Sequence, residues 1–265
     1  MAKNPLGRTT LYPETLDTRV LCPISRRESR APLGLTGEPP FEGVDRWSAY
    51  EISWLNERGV PELGIGAIEY PADSDYLVES KSLKLFLGSL NFTTFPSRGV
   101  VEELIATTLR NMVGAEVTVR ITPVAEWSAL RLVSPPGECI DGDDPRGAGE
   151  IAAGSEVVEE TLYSNLLRSL CPVTAQPDWG TLVVRYRGRR IERGTLLSSL
   201  IAHRRYQGFH EACCERIFME LLAVTEAVRL QVGCCYTRRG GLDINPERWL
   251  PGSERISLSG RLARQ

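Results

Sequence analysis

Histidine is scarce in this sequence, and neither sign of charge is in strong excess. The 265 residues include only two histidines, His203 and His210, so few side chains could exchange protons near neutral pH. The net charge of −3 lacks the basic excess that nucleic-acid-binding domains carry. Residues 1–8 contain no apolar signal segment, and no apolar run approaches the roughly 20 residues of a membrane span. We therefore expect a cytoplasmic protein without a direct nucleic-acid or membrane partner.

Cysteine occurs seven times, but not at the spacings of a zinc knuckle or a secreted disulfide framework. Cys213 and Cys214 are adjacent, as are Cys234 and Cys235. The simplest interpretation of these pairs is that they are small apolar residues of a buried helix and a buried strand. We therefore expect no bound metal.

A segment rich in Pro, Gly and Asp separates two halves of the chain. Residues 134–154 break every periodic pattern, which is typical of a linker. We therefore predict an N-terminal module over 1–133 and a C-terminal module over 155–265. A similar order of strands and helices in both halves suggests duplication, although the sequence identity between them is faint.

Apolar residues at period two predict strands, and apolar residues three or four apart predict helices. The strands are predicted at 50–54, 63–67, 117–121, 182–186 and 230–236. The helices are predicted at 83–90, 101–112, 155–170, 196–202 and 209–224.

A single thiol and a carboxylate flank a Pro-bounded loop after the predicted helix 155–170. Cys171 and Asp178 are seven residues apart, and Trp179 next to the carboxylate is expected to help to bury it. A thiol is a nucleophile only as thiolate, so it requires a helix end, a cation or a proton acceptor nearby. Asp178 could accept that proton and deliver it to a substrate. A buried structural Cys followed by a turn-capping Asp explains the same pattern.

His210 and Glu211 lie where the last predicted helix begins. Free N–H groups and the positive end of the helix dipole favour a carboxylate at such a position. Glu211 could then accept two N–H bonds from the amidine-like edge of a purine-like ring. An ordinary helix-start Glu beside a surface His is the alternative.

Two basic segments are candidate phosphate sites. Glu79 is followed by Lys81 and Lys84 in the first turns of a predicted helix, where lysines oppose the helix dipole. Arg238 and Arg239 precede two glycines after the strand 230–236. Either segment could instead be a solvated charge cluster.

Four motifs in this order resemble the NADPH-dependent 7-cyano-7-deazaguanine reductase family of queuosine biosynthesis, in its long two-module form. They are residues 79–86, 171–180, 209–211 and 236–246, and the resemblance extends from about residue 11 to residue 265. The resemblance implies an α+β fold of tandem tunnelling-fold modules, with antiparallel sheets each backed by two helices. It also implies a homodimer.

The family reduces a nitrile to a primary amine with two NADPH. By resemblance, Cys171 forms a covalent thioimide with the nitrile carbon, and Asp178 donates a proton. The residues implied to hold the 7-deazapurine are Val78, Glu79, Ser80, His210 and Glu211. Those implied to contact NADPH are Ser80, Lys81, Arg239 and Gly240. Because these residues come from both modules, neither module is expected to work alone.

Two other functions remain compatible with the residues. A zinc-dependent cyclohydrolase acting on a purine or pterin ring could use His210, Cys213 and Cys214 as ligands, but another ligand at sensible spacing is missing. A non-catalytic purine-binding or tRNA-binding module would leave Cys171 without a role.

Overall fold

The computed structural model describes residues 12–129, 132–258 and 260–265. Residues 1–8, the first part of the predicted N-terminal module and its residues 130–131 lie outside these ranges. The described chain divides into two compact units, and neither is one continuous stretch. The first unit takes 12–36, 46–129 and 238–243, and the second takes 37–45, 132–237, 244–258 and 260–265.

The first unit contains a sheet, a small ribbon and two longer helices. Its elements are β1 (Pro23–Ser25), α1 (Arg26–Arg30), β2 (Glu42–Leu55), β3 (Pro61–Pro71), β4 (Tyr76–Val78), α2 (Ser80–Gly88), α3 (Arg98–Val113) and β5 (Thr118–Pro123). The first four residues of β2 belong to the second unit. The strands follow the order β5-β3-β2, and β1 pairs with β4. This ribbon ends at Val78, and α2 begins two residues later.

The second unit contains a larger sheet with two helices. Its elements are β6 (Glu138–Cys139), β7 (Ala153–Ser164), β8 (Arg168–Leu170), β9 (Pro177–Ile191), α4 (Arg193–His203), α5 (His210–Thr225), β10 (Arg229–Tyr236) and β11 (Leu242–Trp249). The first two residues of β11 belong to the first unit. The strands follow the order β11-β10-β9-β7-β6, with β8 beside the start of β9. The pairs β10–β11, β9–β10, β7–β9 and β8–β9 are antiparallel, and the pair β6–β7 is parallel. The architecture is therefore α+β with mixed pairing.

The core of the second unit lies where α5 packs against β9 and β10. Its members are apolar residues that recur every three or four positions in the helix and every two in the strands. They include Leu182, Val184, Cys213, Cys214, Ile217, Phe218, Leu230, Val232 and Cys234. The prediction that the adjacent cysteines are buried in a helix and a strand is confirmed.

Most of the predicted elements are confirmed. The helices predicted at 83–90, 101–112, 196–202 and 209–224 correspond to α2, α3, α4 and α5. The strands predicted at 50–54, 63–67, 117–121, 182–186 and 230–236 correspond to β2, β3, β5, β9 and β10. None of the helices in the described ranges is long and apolar enough to cross a membrane.

The helix predicted at 155–170 is wrong, because this segment forms β7 and β8. The prediction used Val158, Leu162 and Leu166, which are four residues apart. A spacing of four is a multiple of the strand period as well as one helical turn, so it does not distinguish the two. Val157, Val158, Thr161 and Tyr163 favour strands, and β7 pairs with β9 along most of its length.

β11 was not predicted from the sequence. It contains Pro246, which cannot donate a ladder hydrogen bond and argues against a regular strand. Its pairing with β10 lies after this proline, at residues 247–249.

Candidate active site

Cys171 lies in a tight turn between β8 and β9, and 1% of it is exposed. Its N–H donates to the Gln176 carbonyl at 2.9 Å, and its carbonyl accepts from the Ala175 N–H at 3.0 Å. The expectation that Cys171 follows a helix is therefore wrong. The dipole of a preceding helix does not act on this thiol.

Asp178 is the second residue of β9 and is buried. In the β8–β9 register it lies opposite Ser169, while Trp179 lies opposite Arg168. Successive strand residues face opposite sides, so Asp178 and Trp179 point apart. Trp179 is 42% exposed and packs between the guanidinium groups of Arg168 and Arg204, at 5.2 and 5.4 Å. The expectation that Trp179 shields Asp178 is therefore not supported.

His210 brings a second titratable group to Asp178. It is the first residue of α5, it is buried, and its Nε2 lies 3.3 Å from Asp178 Oδ2. Glu211 follows it in the first turn and is also buried. The N-cap residue Phe209 supplies no side-chain hydrogen bond to this helix start. Asp178 and His210 are close enough to share a proton, which is what acid–base catalysis requires.

Tyr236 is a neighbour of this pair that the sequence reasoning missed. Its ring packs on the His210 ring with a centroid distance of 3.9 Å and an interplanar angle of 35°. Burial raises the pKa of Tyr236 well above its ordinary value of 10.0, so the hydroxyl stays protonated. Cys213 and Cys234 lie close enough to interact with its charged form and also raise its pKa. Tyr236 is the first residue of the motif 236–246, which is the sequence signal that could have drawn attention to it, and in the β9–β10 register it lies opposite Gly180.

Glu79 is the N-cap of α2 in the first unit, and 1% of it is exposed. Its Oε1 accepts from the Lys81 N–H at 2.8 Å, and its Oε2 accepts from the Ser82 N–H at 2.7 Å. The Ser80 hydroxyl donates to Oε1 at 3.5 Å. Carboxylate oxygens have further lone pairs, so Glu79 can still accept hydrogen bonds from a ligand.

Burial and neighbouring groups shift the pKa of Glu79 in opposite directions. Burial raises its pKa above the ordinary value of 4.5. The N–H bonds from Lys81 and Ser82 and the charge of Arg239 act to lower it. Arg239 therefore lies close enough to Glu79 to interact with its charge. Val78, the last residue of β4, is buried beside this carboxylate in the chain, and its N–H is 3.4 Å from the Tyr70 hydroxyl.

A tight turn brings Gly240 to the same helix. Arg239 and Leu242 exchange backbone hydrogen bonds of 2.9 and 3.2 Å across the turn. Gly240 and Gly241 have φ of 61° and 85°, values that favour glycine. A Cβ at Gly240 would lie 2.9 Å from the Lys84 ammonium, so any side chain would fill this space. The first unit thus gathers Glu79, Lys84, Arg239 and Gly240.

The seven cysteines, all within the described residues, differ in accessibility. Cys139 is exposed and the other six are buried. Burial raises the pKa of Cys22 and of Cys234, and it raises the pKa of Cys213 to about 12. These three therefore remain thiols at neutral pH. Across the described ranges, no group of three His, Cys, Asp or Glu residues is arranged to hold a metal ion.

The chain matches two family profiles. One, described as "Nitrile reductase, 7-cyano-7-deazaguanine-reductase N-term", matches residues 12–121. The other, described as "QueF-like protein", matches residues 177–251.

Curated relatives match the chain over nearly its whole length. A protein of Desulfotalea psychrophila, named NADPH-dependent 7-cyano-7-deazaguanine reductase, is 45% identical over 98% of this chain and 97% of its own. A protein of Chromohalobacter salexigens with the same name is 48% identical over 98% of this chain and 96% of its own. A third, from Paraburkholderia phymatum, is 44% identical over 93% of each chain.

Proposed function

The chain belongs to the 7-cyano-7-deazaguanine reductase family, and from this premise we propose that it reduces a nitrile through a covalent bond to Cys171. The substrate is 7-cyano-7-deazaguanine, and the product carries an aminomethyl group in place of the nitrile, as queuosine biosynthesis for tRNA requires. The observation that carries the proposal is the buried pair of Asp178 and His210, 3.3 Å apart, in the unit that contains the buried Cys171. A nucleophile, a proton donor and a proton reservoir are the groups that this reaction needs.

Cys171 opens the reaction by adding to the nitrile. Its sulfur bonds to the nitrile carbon, one of the C–N π bonds breaks, and the nitrogen gains a proton, which gives a thioimide. Asp178 donates protons to that nitrogen and recovers them through His210, which lies 3.3 Å away. After the first reduction the C–S bond breaks, Cys171 leaves as thiolate, and an imine remains. A further proton on the nitrogen completes the amine after the second reduction.

The proposed cofactor is NADPH, held by Ser80, Lys81, Arg239 and Gly240. Each NADPH would supply one hydride when bound, so two molecules in succession would supply the two hydrides that the nitrile carbon takes up. The residues fit an anionic group, because the Lys84 ammonium lies where a side chain at Gly240 would otherwise be. Arg239 is close enough to interact with the Glu79 charge and adds a second cation. Cations of this kind suit the 2′-phosphate that distinguishes NADPH from NADH.

The base of the substrate is assigned to Val78, Glu79, Ser80, His210 and Glu211. Glu79 and Glu211 are both buried at helix starts. A buried carboxylate accepts paired N–H bonds from a guanine-like edge. A ring without those donors would leave the carboxylate unsatisfied, and this rejects other bases.

At the level of architecture, we propose tandem tunnelling-fold modules over 1–133 and 155–265, joined by 134–154. The support is the repeated element order: β2, β3, α2, α3 and β5 in one half, and β7, β9, α4, α5 and β10 in the other. We further propose a cytoplasmic homodimer that acts on the free 7-deazapurine and binds neither nucleic acid nor membranes. Light scattering coupled to gel filtration tests the dimer.

The test of the proposed function is intact mass spectrometry after mixing the protein with 7-cyano-7-deazaguanine in the absence of NADPH. The wild type is expected to gain the mass of one nitrile molecule, and this adduct disappears when NADPH is added. Cys171→Ala is expected to gain nothing. Cys139→Ser is the matched control, because it removes the exposed thiol and leaves Cys171 in place.

Absence of an adduct together with absence of NADPH consumption would reject the reductase proposal. An adduct that persists in Cys171→Ala would assign the chemistry to another thiol. In the first case, stoichiometric zinc in the purified protein would favour the cyclohydrolase alternative.

A further inference from the structure

The loop between α4 and α5 runs beside the residues that lead into Cys171. The Leu170 N–H donates to the Tyr206 carbonyl at 2.8 Å, and the Gly208 N–H donates to the Leu170 carbonyl at 3.0 Å. These two bonds form a short parallel bridge between Leu170 and Gln207. The bridge restrains the backbone at Leu170, on the N-terminal side of Cys171.

The side chain of Gln207 contacts the backbone at Cys171 itself and on its C-terminal side. Its Nε2 donates to the Cys171 carbonyl at 3.3 Å and to the Pro172 carbonyl at 3.0 Å. A side-chain amide has two N–H donors, so this single group can serve both carbonyls. The backbone on either side of the Cys171 side chain is thereby tied to one loop.

The turn that holds Cys171 contains backbone strain. Ala175 has φ of 54°, in the left-handed region that disfavours residues with a Cβ. A strained conformation persists only where surrounding contacts hold it. The Cys171 carbonyl accepts from both Ala175 and Gln207, so the amide contact acts on the hydrogen bond that closes this turn.

We propose that Gln207 is a positioning residue that holds Cys171 in the geometry needed for attack on the nitrile. For its role in the reaction, this inference rests on the proposed function. Gln207 is exposed, so it is not part of the packed core. Its replacement therefore changes the Cys171 turn with little effect on global stability, because surface substitutions rarely shift stability much.

The test compares two reactions of Cys171 in a Cys139→Ser background. Gln207→Met keeps the side-chain length and removes both donors. Formation of the nitrile adduct is expected to be about tenfold slower, since two modest hydrogen bonds are lost. Alkylation of Cys171 by iodoacetamide, read by peptide mass spectrometry, is expected to be several-fold faster, because the loosened turn exposes a buried thiol.

Gln207→Glu adds a readout that a merely structural role would not produce. Its ionised carboxylate cannot donate to the two carbonyls, but its protonated form donates one hydrogen bond. Adduct formation relative to Gln207→Met is therefore expected to recover partly as the pH falls toward about 4.3. Arg205→Ala, an exposed change in the same loop, is expected to match the wild type in both reactions.

Unchanged rates in Gln207→Met would overturn the proposal. So would a parallel fall of both rates, which would indicate an altered thiol rather than a displaced one. A large loss of thermal stability would also overturn it, since Gln207 would then support the fold. If the wild type forms no nitrile adduct, the proposed function fails, while the alkylation rates still decide whether Gln207 restrains Cys171.

Discussion

Each compact unit begins a helix next to a buried carboxylate, but the two carboxylates have different surroundings. Glu79 caps α2 with both of its oxygens and interacts with the charge of Arg239. Glu211 lies inside the first turn of α5, after the buried His210 that contacts Asp178. One helix start is built of capping bonds and cations, and the other of acid–base groups. Both carboxylates are proposed to bind the base, and the second helix start has, in addition, the proposed proton-transfer pair His210 and Asp178.

The two units also differ in which residues have a positive φ. In the described part of the first unit, every residue with positive φ is a glycine. These are Gly34, Gly59, Gly114, Gly240 and Gly241. The second unit also has Ala175 at φ 54° and Glu226 at φ 48°. Because Ala175 lies in the Cys171 turn, strain is found in the unit to which the chemistry is assigned.

The largest effect is expected from Asp178→Asn in the second unit. The amide keeps the size of the carboxylate but cannot donate a proton as an acid does. We expect kcat to fall by about 10²–10⁴-fold, with little change in KM, because general acid catalysis contributes factors of this size. Steady-state NADPH oxidation measures both constants. An effect on KM alone would contradict the proposal that Asp178 acts in the chemical step.

A smaller effect, on KM instead of kcat, is expected from Arg239→Ala in the first unit. Loss of one cation should raise KM for NADPH about tenfold, with kcat nearly unchanged, as removal of a charge-assisted hydrogen bond predicts. Arg238→Ala is the matched control with the same change in charge. The Arg238 guanidinium packs 5.0 Å from the Tyr50 ring centroid. Equal changes in KM for both variants would indicate a general charge effect.

Glu79→Gln tests the electrostatics of the first helix start. Because burial raises the pKa of Glu79 above 4.5, the folded chain binds this proton more tightly than the unfolded chain does. The contribution of Glu79 to stability is then fully present below the unfolded pKa and is lost as the pH rises through the folded pKa. Gln does not titrate, so the stability of the wild type relative to Glu79→Gln should fall as the pH rises from about 4. Urea unfolding of both proteins at a series of pH values measures this difference in stability. If the difference rose with pH, the capping bonds would lower the pKa of Glu79 by more than burial raises it.

The smallest effect is expected from Ala175→Asn in the Cys171 turn. Asn adopts the left-handed region more readily than Ala, so relief of strain should raise the free energy of unfolding by about 0.5 kcal/mol. Glu226→Asn at the end of α5 is the control for the same backbone conformation. Urea midpoints at constant slope measure both changes. A gain in Glu226→Asn alone would show that the Cys171 turn is not strained.

The sequence located the helix starts that carry Glu79 and His210, because a change in apolar period next to a polar residue is a local signal. The helices α2 and α5 therefore begin close to where they were predicted. The strand β9 begins five residues before its predicted start at residue 182, so Asp178 lies within the strand and not in the loop before it. The reductase interpretation came from the order of four motifs, and the relatives support it.

The remaining features depend on contacts that a single sequence does not reveal. The spacing of Val158 and Leu162 fits a helix and a strand equally, and pairing with β9 selects the strand. The contact of Tyr236 with His210 and that of Gln207 with Cys171 join separate elements. Gln207 has an ordinary local sequence, and the motif that begins at Tyr236 does not show which side chain its ring contacts.

The register of β9 also limits how this protein can change in length. Asp178 faces the His210 side because β9 is paired with β8 at residues 177–179 and with β10 and β7 from Gly180 onward. One residue inserted between Asp178 and Gly180 would turn Asp178 to the opposite side, where Arg168 and Arg204 flank Trp179. Two inserted residues would restore its direction. We therefore expect insertions or deletions of an even number of residues at this point to preserve the direction of Asp178, and those of an odd number to reverse it. Substitutions alone would not reveal this restriction.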